Sequence, residues 1–459
     1  MAISWHEMTA LALGRAIEDG TIDSRELADY FLSRIGDVDP AHTIYLRTTA
    51  ERARAEAAAA HKRAGAGLRL SPLDGVPISW KDLFDTAGDV TSHGSPVLAE
   101  RVPNDDALVV ERATRAGLAC LGKTNQTEYA FSILGINPHY GTPANPFDET
   151  TPRLPGGSTS GGAVSVARGL AAAAIGSDTG GSVRVPSAWN GLVGLKTSFG
   201  RIPVEGVLSL STTLDTVGPL TRDVADAAAV FAVLDGRSGP GTKAWPDLAG
   251  ANTGAITLAR PTGMVWDNLG SDVAKVTEAA LDKLAKADVA INSVDVPEFG
   301  EVDKLISHFG PYHAAECHAV WGEAIEAKPN LVYGPILERI RLGGKMTASN
   351  VERTKHGLKT AANALHGRIR EAGVLVMPTV PVGPAPIAEL ENDIDAWTAA
   401  NAVVLRNTRL ANFLGCCALT LPCGLDTNGI PVGIMLMAPS GDDERLLRIG
   451  AAIEEILAS

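Results

Sequence analysis

The chain has 459 residues, of which 45% are hydrophobic and 20% charged, the proportions of a folded chain with a substantial core rather than a disordered one. A net charge of −13 without any basic block argues against tight binding to a phosphate backbone. Five cysteines (Cys120, Cys317, Cys416, Cys417 and Cys423), odd in number and lacking CxxC spacing, exclude a disulfide scaffold and point to reduced, buried thiols in a cytoplasmic protein.

The opening "MAISWHEMTALALGRAIEDG" lacks a basic region and carries acids early, unlike a signal peptide. No uncharged apolar run is long enough to span a membrane. "DSRELADYFLSRI" has Asp23 with Glu26 three residues later, a capping-box pattern ahead of apolar residues at helical spacing. In "DGVPISWKDLF", Val76, Ile78 and Trp80 alternate as in a strand, with Lys81 at its end. "DDALVVERATRAG" predicts a helix stopped by Gly117, and "LACLGKTN" a short buried strand, so this stretch reads as a unit of a parallel sheet. "SGGAVSVARGLA" predicts a helix, "AAAIGS" a strand, and "TRDVADAAAVFAVLDG" a helix capped by Thr221. "GAITLARP", "SDVAKVTEAALDKLAKA" and "DVAINSVDVP" read as strand, helix and strand. Residues 299–372 read as mostly helical and could cover a site. A strand in "EAGVLVMPTVPVGPAP" runs into a proline-rich loop. One helix around "NAVVLRNTRLANFLG", strands at "CALTLP" and "VGIMLMA", and a final helix from Asp442 complete the chain. There is no internal repeat and no composition break, which predicts one large α/β domain.

Three segments carry chemistry. In "GSDTGGSVRVPS", Gly180 and Gly181 precede Ser182. A nucleophilic serine needs an exposed hydroxyl and nearby backbone N–H groups for a developing oxyanion. Two glycines remove the side chains that would obstruct that approach. The N–H groups from Thr179 to Ser182 could then converge, with Ser182 opening a helix. The same pattern also fits a plain turn with a serine cap. A phosphate cradle is disfavoured, because neither G-x-x-x-x-G-K-[ST] nor G-x-G-x-x-G occurs here. The second segment, "LPGGSTSGGAVSVA", again sets two glycines before a serine, Ser158, 24 residues ahead of Ser182. The third sets Lys81 at a strand end flanked by Trp80, Leu83 and Phe84, where desolvation would favour the neutral amine. No G-x-S-x-G elbow surrounds Ser182, and no histidine sits in a motif that marks it as the base.

These pieces resemble the amidase signature family. The matching stretches are "GVPISWKDLFDTAG", "GKTNQTEYAFSILGINPHYGTPANPF", "PGGSTSGGAVSVA", "GSDTGGSVRVPSAWNGLVGLKTSFGRIP", "LDTVGPLTRDV" and "RNTRLANFLGCCALTLPCG". They cover most of the chain in the family's order. The resemblance implies a Ser–cisSer–Lys set with Ser182 as nucleophile, Ser158 as bridging serine behind a cis peptide bond, and Lys81 as base. Beside this set, the glycine pair itself places the oxyanion site at Thr179, Gly180 and Gly181, and Asp178 and Arg184, each flanking a turn whose backbone must be fixed, are expected to brace the loop. Thr159-Ser160-Gly161-Gly162 stands where many members have Ser-Gly-Gly-Ser, so Ser160 remains an alternative to Ser158. The implied fold is a single domain over 1–459, a mixed twisted β-sheet surrounded by α-helices, with its catalytic core near 70–235 and a substrate-covering region near 299–372. No cofactor and no metal are implied. The implied partner is a small-molecule amide, without nucleic acid or membrane, and a homodimer stays open. The expected reaction is hydrolysis of a small carboxamide. The alternatives are a glutaminase-type subunit of a transamidation complex and a noncatalytic binding protein on the same scaffold. The acyl pocket is expected from 125–140, 299–340 and the loop after Pro378.

Overall fold

In the computed structural model, which describes residues 4–239, 247–248 and 256–459, eleven strands form one mixed sheet. They are β1 (Tyr45–Thr48), β2 (Pro77–Lys81), β3 (Ala119–Thr124), β4 (Ala173–Asp178), β5 (Val193–Lys196), β6 (Thr216–Thr221), β7 (Thr257–Pro261), β8 (Ala290–Val294), β9 (Val374–Pro378), β10 (Cys417–Leu425) and β11 (Pro431–Ala438). Their spatial order is β1-β3-β2-β4-β6-β5-β10-β11-β9-β7-β8. β2 runs parallel to both β3 and β4, and its connection to β3 passes through the helix Leu108–Arg115, as the sequence predicts. Every residue of β2, β3, β4 and β6 is buried. Helices cover both faces of the sheet, so these central strands need no polar side and read as short apolar runs. The apolar alternation of β2 therefore does not separate a wet face from a dry one. Its Lys81 enters the interior with the rest of the strand.

Several local readings are corrected. The helix after β6 runs Val224–Leu234 and is capped by Asp223, whose side chain accepts from the Asp226 N–H. Thr221 instead ends the strand. The stretch around 401–415 is two helices, Ile394–Leu405 and Thr408–Phe413. Asn407, at the break, gives its side-chain amide to the carbonyls of Val265 and Pro378, which anchors the turn between them. The region predicted as helical does form helices, Pro297–Phe309, Tyr312–Ala327, Gly334–Gly344 and Ala348–Ala372. The strand predicted from Gly254 begins at Thr257, and residues 254–255 lie outside the described residues. All five cysteines are free; four are buried and Cys423 is partly exposed. No helix among the described residues is long and apolar enough to cross a membrane.

Candidate active site

Lys81 ends β2 and is fully buried. Its Nζ is 2.8 Å from Ser158 Oγ and 2.8 Å from Ser177 Oγ. No carboxylate among the described residues forms an ion pair with it. Burial pulls the amine down to about 7, against the more distant pull of Asp215 and Asp178 in the other direction. The neighbouring Asp82 points away and pairs with Arg47 at 2.8 Å, as alternation along an extended strand requires. Lys81 is thus poised to exchange a proton near neutrality, with two hydroxyls as its polar contacts.

The Gly157–Ser158 peptide bond is cis. Its loop is pinned from both sides: the Gly157 N–H donates to the Ile133 carbonyl at 2.7 Å, and the Thr127 N–H donates to the Ser158 carbonyl at 3.1 Å. A Cβ at Gly157 would stand 2.6 Å from the Gly135 nitrogen, so only glycine fits. Thr159 joins this loop to the other, its hydroxyl donating to the Ser182 carbonyl at 2.6 Å and its N–H to the same oxygen at 3.3 Å. Ser160 begins the helix Ser160–Ala167, and its hydroxyl faces the Asn125 carbonyl at 3.4 Å rather than Lys81.

The glycine pair ahead of Ser182 has a direct steric reason. Gly181 has φ of +138°, and a Cβ there would meet Thr408 Oγ1 at 2.2 Å. Ser182 itself precedes the helix, which begins only at Arg184, so it does not open the helix as read from the sequence. Asp178 and Arg184, both fully buried, brace the turn between them. The Asp178 carboxylate accepts from the N–H groups of Gly181 (2.8 Å) and Val183 (3.1 Å), from Arg184 (2.8 and 3.0 Å) and from Asn412 (2.9 Å). Burial alone would raise its pKa, but Arg184, with help from Lys196 and Asn412, holds it well below the usual carboxylate range. The Gly181 N–H is already committed to Asp178, so the donors left without an acceptor among the described residues are those of Thr179, Gly180 and Ser182.

Arg184→Leu is expected to cost about 3–5 kcal/mol of folding stability, because it strands the Asp178 carboxylate in the interior. The urea denaturation midpoint checks this; an unmoved midpoint would show that the pair does not hold the turn.

Ser182 lines a pocket of about 310 Å3. Its hydroxyl makes no hydrogen bond to Ser158 or to any other described residue. Such contacts often close only when substrate is bound. The pocket walls come from Ala130–Ile133, from the helices between residues 297 and 344, and from Trp397 through Phe413. The first two were expected. The third replaces the expected loop after Pro378, which lies instead against Trp189, whose indole N–H donates to the Val382 carbonyl at 3.1 Å. Ser177 and Thr159 are the contacts that motif reading missed: neither sits at a marked position, and both act through the partners that the fold brings to them. The pocket contains one histidine, His313, which burial holds neutral with a pKa near 3.

The family model described as Amidase matches residues 26–447. The chain is 36% identical to 2-amino-5-chloromuconic acid deaminase of Comamonas testosteroni, over 92% of this chain and 90% of that one. It is 32% identical to a glutamyl-tRNA(Gln) amidotransferase subunit of Chloroflexus aggregans, over 98% and 96% respectively. Among solved structures, one described as an amidase superposes with a TM-score of 0.86 at 29% identity, over 98% of this chain and 99% of that one.

Proposed function

Because the chain belongs to the amidase signature family and is an amidase, we propose that it hydrolyses the C–N bond of a small carboxamide through a Ser182 acyl-enzyme, with Ser158 and Lys81 as the proton relay. The observation that carries this reading is the buried amine of Lys81, 2.8 Å from Ser158 Oγ and free of any carboxylate ion pair among the described residues. A lysine kept protonated by an acid could not serve as a base; one with a pKa near 7 can.

In the proposed sequence, neutral Lys81 takes the Ser158 proton as Ser158 takes that of Ser182. Ser182 Oγ bonds to the amide carbon, and the carbonyl oxygen gains the negative charge. The free N–H groups of Thr179, Gly180 and Ser182 supply donors for that charge. The C–N bond breaks as the relay returns its proton to the nitrogen, releasing ammonia or an amine. Water, deprotonated by the same relay, then attacks the ester. The acid leaves and the Ser182 hydroxyl is restored. Asp178 and Arg184 shape the turn and do not react.

A second reading, a glutaminase-type subunit working with partner chains, is favoured by the amidotransferase relative that matches 98% of this chain. Both readings are tested by purifying the chain alone and assaying it on aliphatic, aromatic and peptide-like amides and on glutamine, with the Ser182→Ala protein as blank. Hydrolysis of simple amides by the lone chain is expected. Activity on glutamine alone, and only after co-purified chains are added, would favour the second reading.

A further inference from the structure

The wall of the pocket beside Ser182 carries a side-chain amide satisfied at one end only. Asn401, in the helix Ile394–Leu405, is 3% exposed and lines the pocket. Its Oδ1 accepts from the Ile133 N–H at 3.1 Å and from Ser132 Oγ at 2.9 Å. A backbone N–H can only donate. Ser132 Oγ already accepts from the Leu134 N–H at 3.2 Å, so it turns its own proton to Asn401. Together these contacts fix which end of the amide is oxygen. Asn401 Nδ2 is then left, among the described residues, without an acceptor.

Much of the same wall is apolar, with Phe131, Leu210, Leu405 and Phe413 in it, and no aspartate or glutamate lines the pocket. A donor kept from water without a partner is costly, so a ligand that brings an acceptor gains what one lacking it does not. The helix sets how far into the pocket this donor stands. Leu405, one turn on from Asn401, packs beside the nucleophile loop: a Cβ on Gly180 would lie 3.2 Å from Leu405 Cδ2. Asn401 is therefore about 6 Å along the helix from the residue that touches that loop. That separation suits the outer part of an acyl group whose carbonyl carbon sits at Ser182, not the scissile amide itself.

Building on the amide-hydrolase reading above, we propose that the preferred substrates are amides whose acyl group carries an uncharged oxygen acceptor, a carbonyl or hydroxyl several carbons from the scissile bond, and that Asn401 Nδ2 donates to it. A hydrocarbon acyl group of the same shape would fill the apolar walls and leave that donor unpaired. A site built to hydrogen-bond one substrate group rejects the analogue that lacks it.

The test uses primary amides matched in shape and charge that differ in one group: p-acetylphenylacetamide with p-isopropylphenylacetamide, and the meta isomers of both. In the wild-type protein kcat/KM is expected to favour the acetyl member of at least one pair by at least about 10-fold. In Asn401→Leu that ratio is expected to fall to about 2 or less. The substitution also removes the acceptor of Ile133 and Ser132, so lower kcat/KM on every compound is expected with it. A purely structural role would lower both members of a pair alike and leave the ratio where it was. A wild-type ratio below about 3 in both pairs, or an Asn401→Leu ratio within about twofold of wild type, overturns the proposal. Should Asn401→Leu fail to fold, Asn401→Ala is read in the same way. Absence of turnover with every compound counts against the amide-hydrolase reading. In that case calorimetric binding of the same pairs to the wild-type protein still decides the oxygen preference, with equal affinity or no binding overturning it.

Discussion

Lys81→Ala and Lys81→Arg are both expected to retain less than about a thousandth of wild-type kcat, the upper part of the range for losing a general base. The alanine variant has no base. The arginine variant keeps a cation that does not deprotonate at any working pH, so it should fail as completely although it preserves charge. The wild-type pH profile follows from the same geometry. Only the neutral amine can take the Ser158 proton, and the neutral fraction grows with pH. Activity should therefore be low in acid, rise through an apparent pKa near 7 and level off above it. This profile separates Lys81 from the buried histidines. His313 in the pocket, and His93, buried against Tyr129 and Trp321, are both held neutral with pKa values near 3, His93 by burial and then by the charge of Lys81. A base of that kind would already be neutral at pH 5 and would give a flat profile from pH 5 to 9. A flat profile, or an active Lys81→Arg protein, would remove Lys81 from the proposed role.

Ser182→Ala is expected to lower kcat by at least about three orders of magnitude, because the covalent route disappears. The fold should survive the change. The Ser182 hydroxyl makes no hydrogen bond among the described residues, while the contacts that hold the loop use its carbonyl, which accepts from Thr159. Circular dichroism and the thermal midpoint should stay at wild-type values. Retention of more than a tenth of the wild-type rate by a folded Ser182→Ala protein would show that the nucleophile lies elsewhere.

Much of the site could be read along the chain because its key residues sit in short, unusual strings. In "DTGGS" the string itself marks the tight turn, and the positive φ at Gly181 is its local reason, whereas Thr408 pressing against that glycine comes from far along the chain. Lys81 could be placed at the end of a strand because the run before it is apolar. Its full burial, and with it the lowered pKa, required the two strands that flank it, and these arrive from far along the chain. The brace of the nucleophile loop shows where local reading stops. Asp178 and Arg184 are six residues apart and visible together, but Arg184 also donates to the Thr408 carbonyl at 2.8 Å and to Asn412 Oδ1 at 2.7 Å, across more than 220 residues. The same distance hid the pocket wall at 397–413. The break between its two helices depends on Asn407 finding the carbonyls of Val265 and Pro378, a choice made by tertiary contacts and not by helical propensity. Ser177 was missed for a similar reason: a serine in a buried strand has no signature until Lys81 is placed beside it.

The central claim is that Ser182 becomes acylated with help from Lys81. Its most direct test is covalent labelling with a serine-directed fluorophosphonate, followed by proteolysis and mass spectrometry of the peptides. The account predicts a single phosphonylated peptide with the modification on Ser182, loss of activity in step with labelling, and labelling slowed at least about 100-fold in Lys81→Ala. Full inactivation with Ser182 unmodified, or a label placed on another residue, would contradict it.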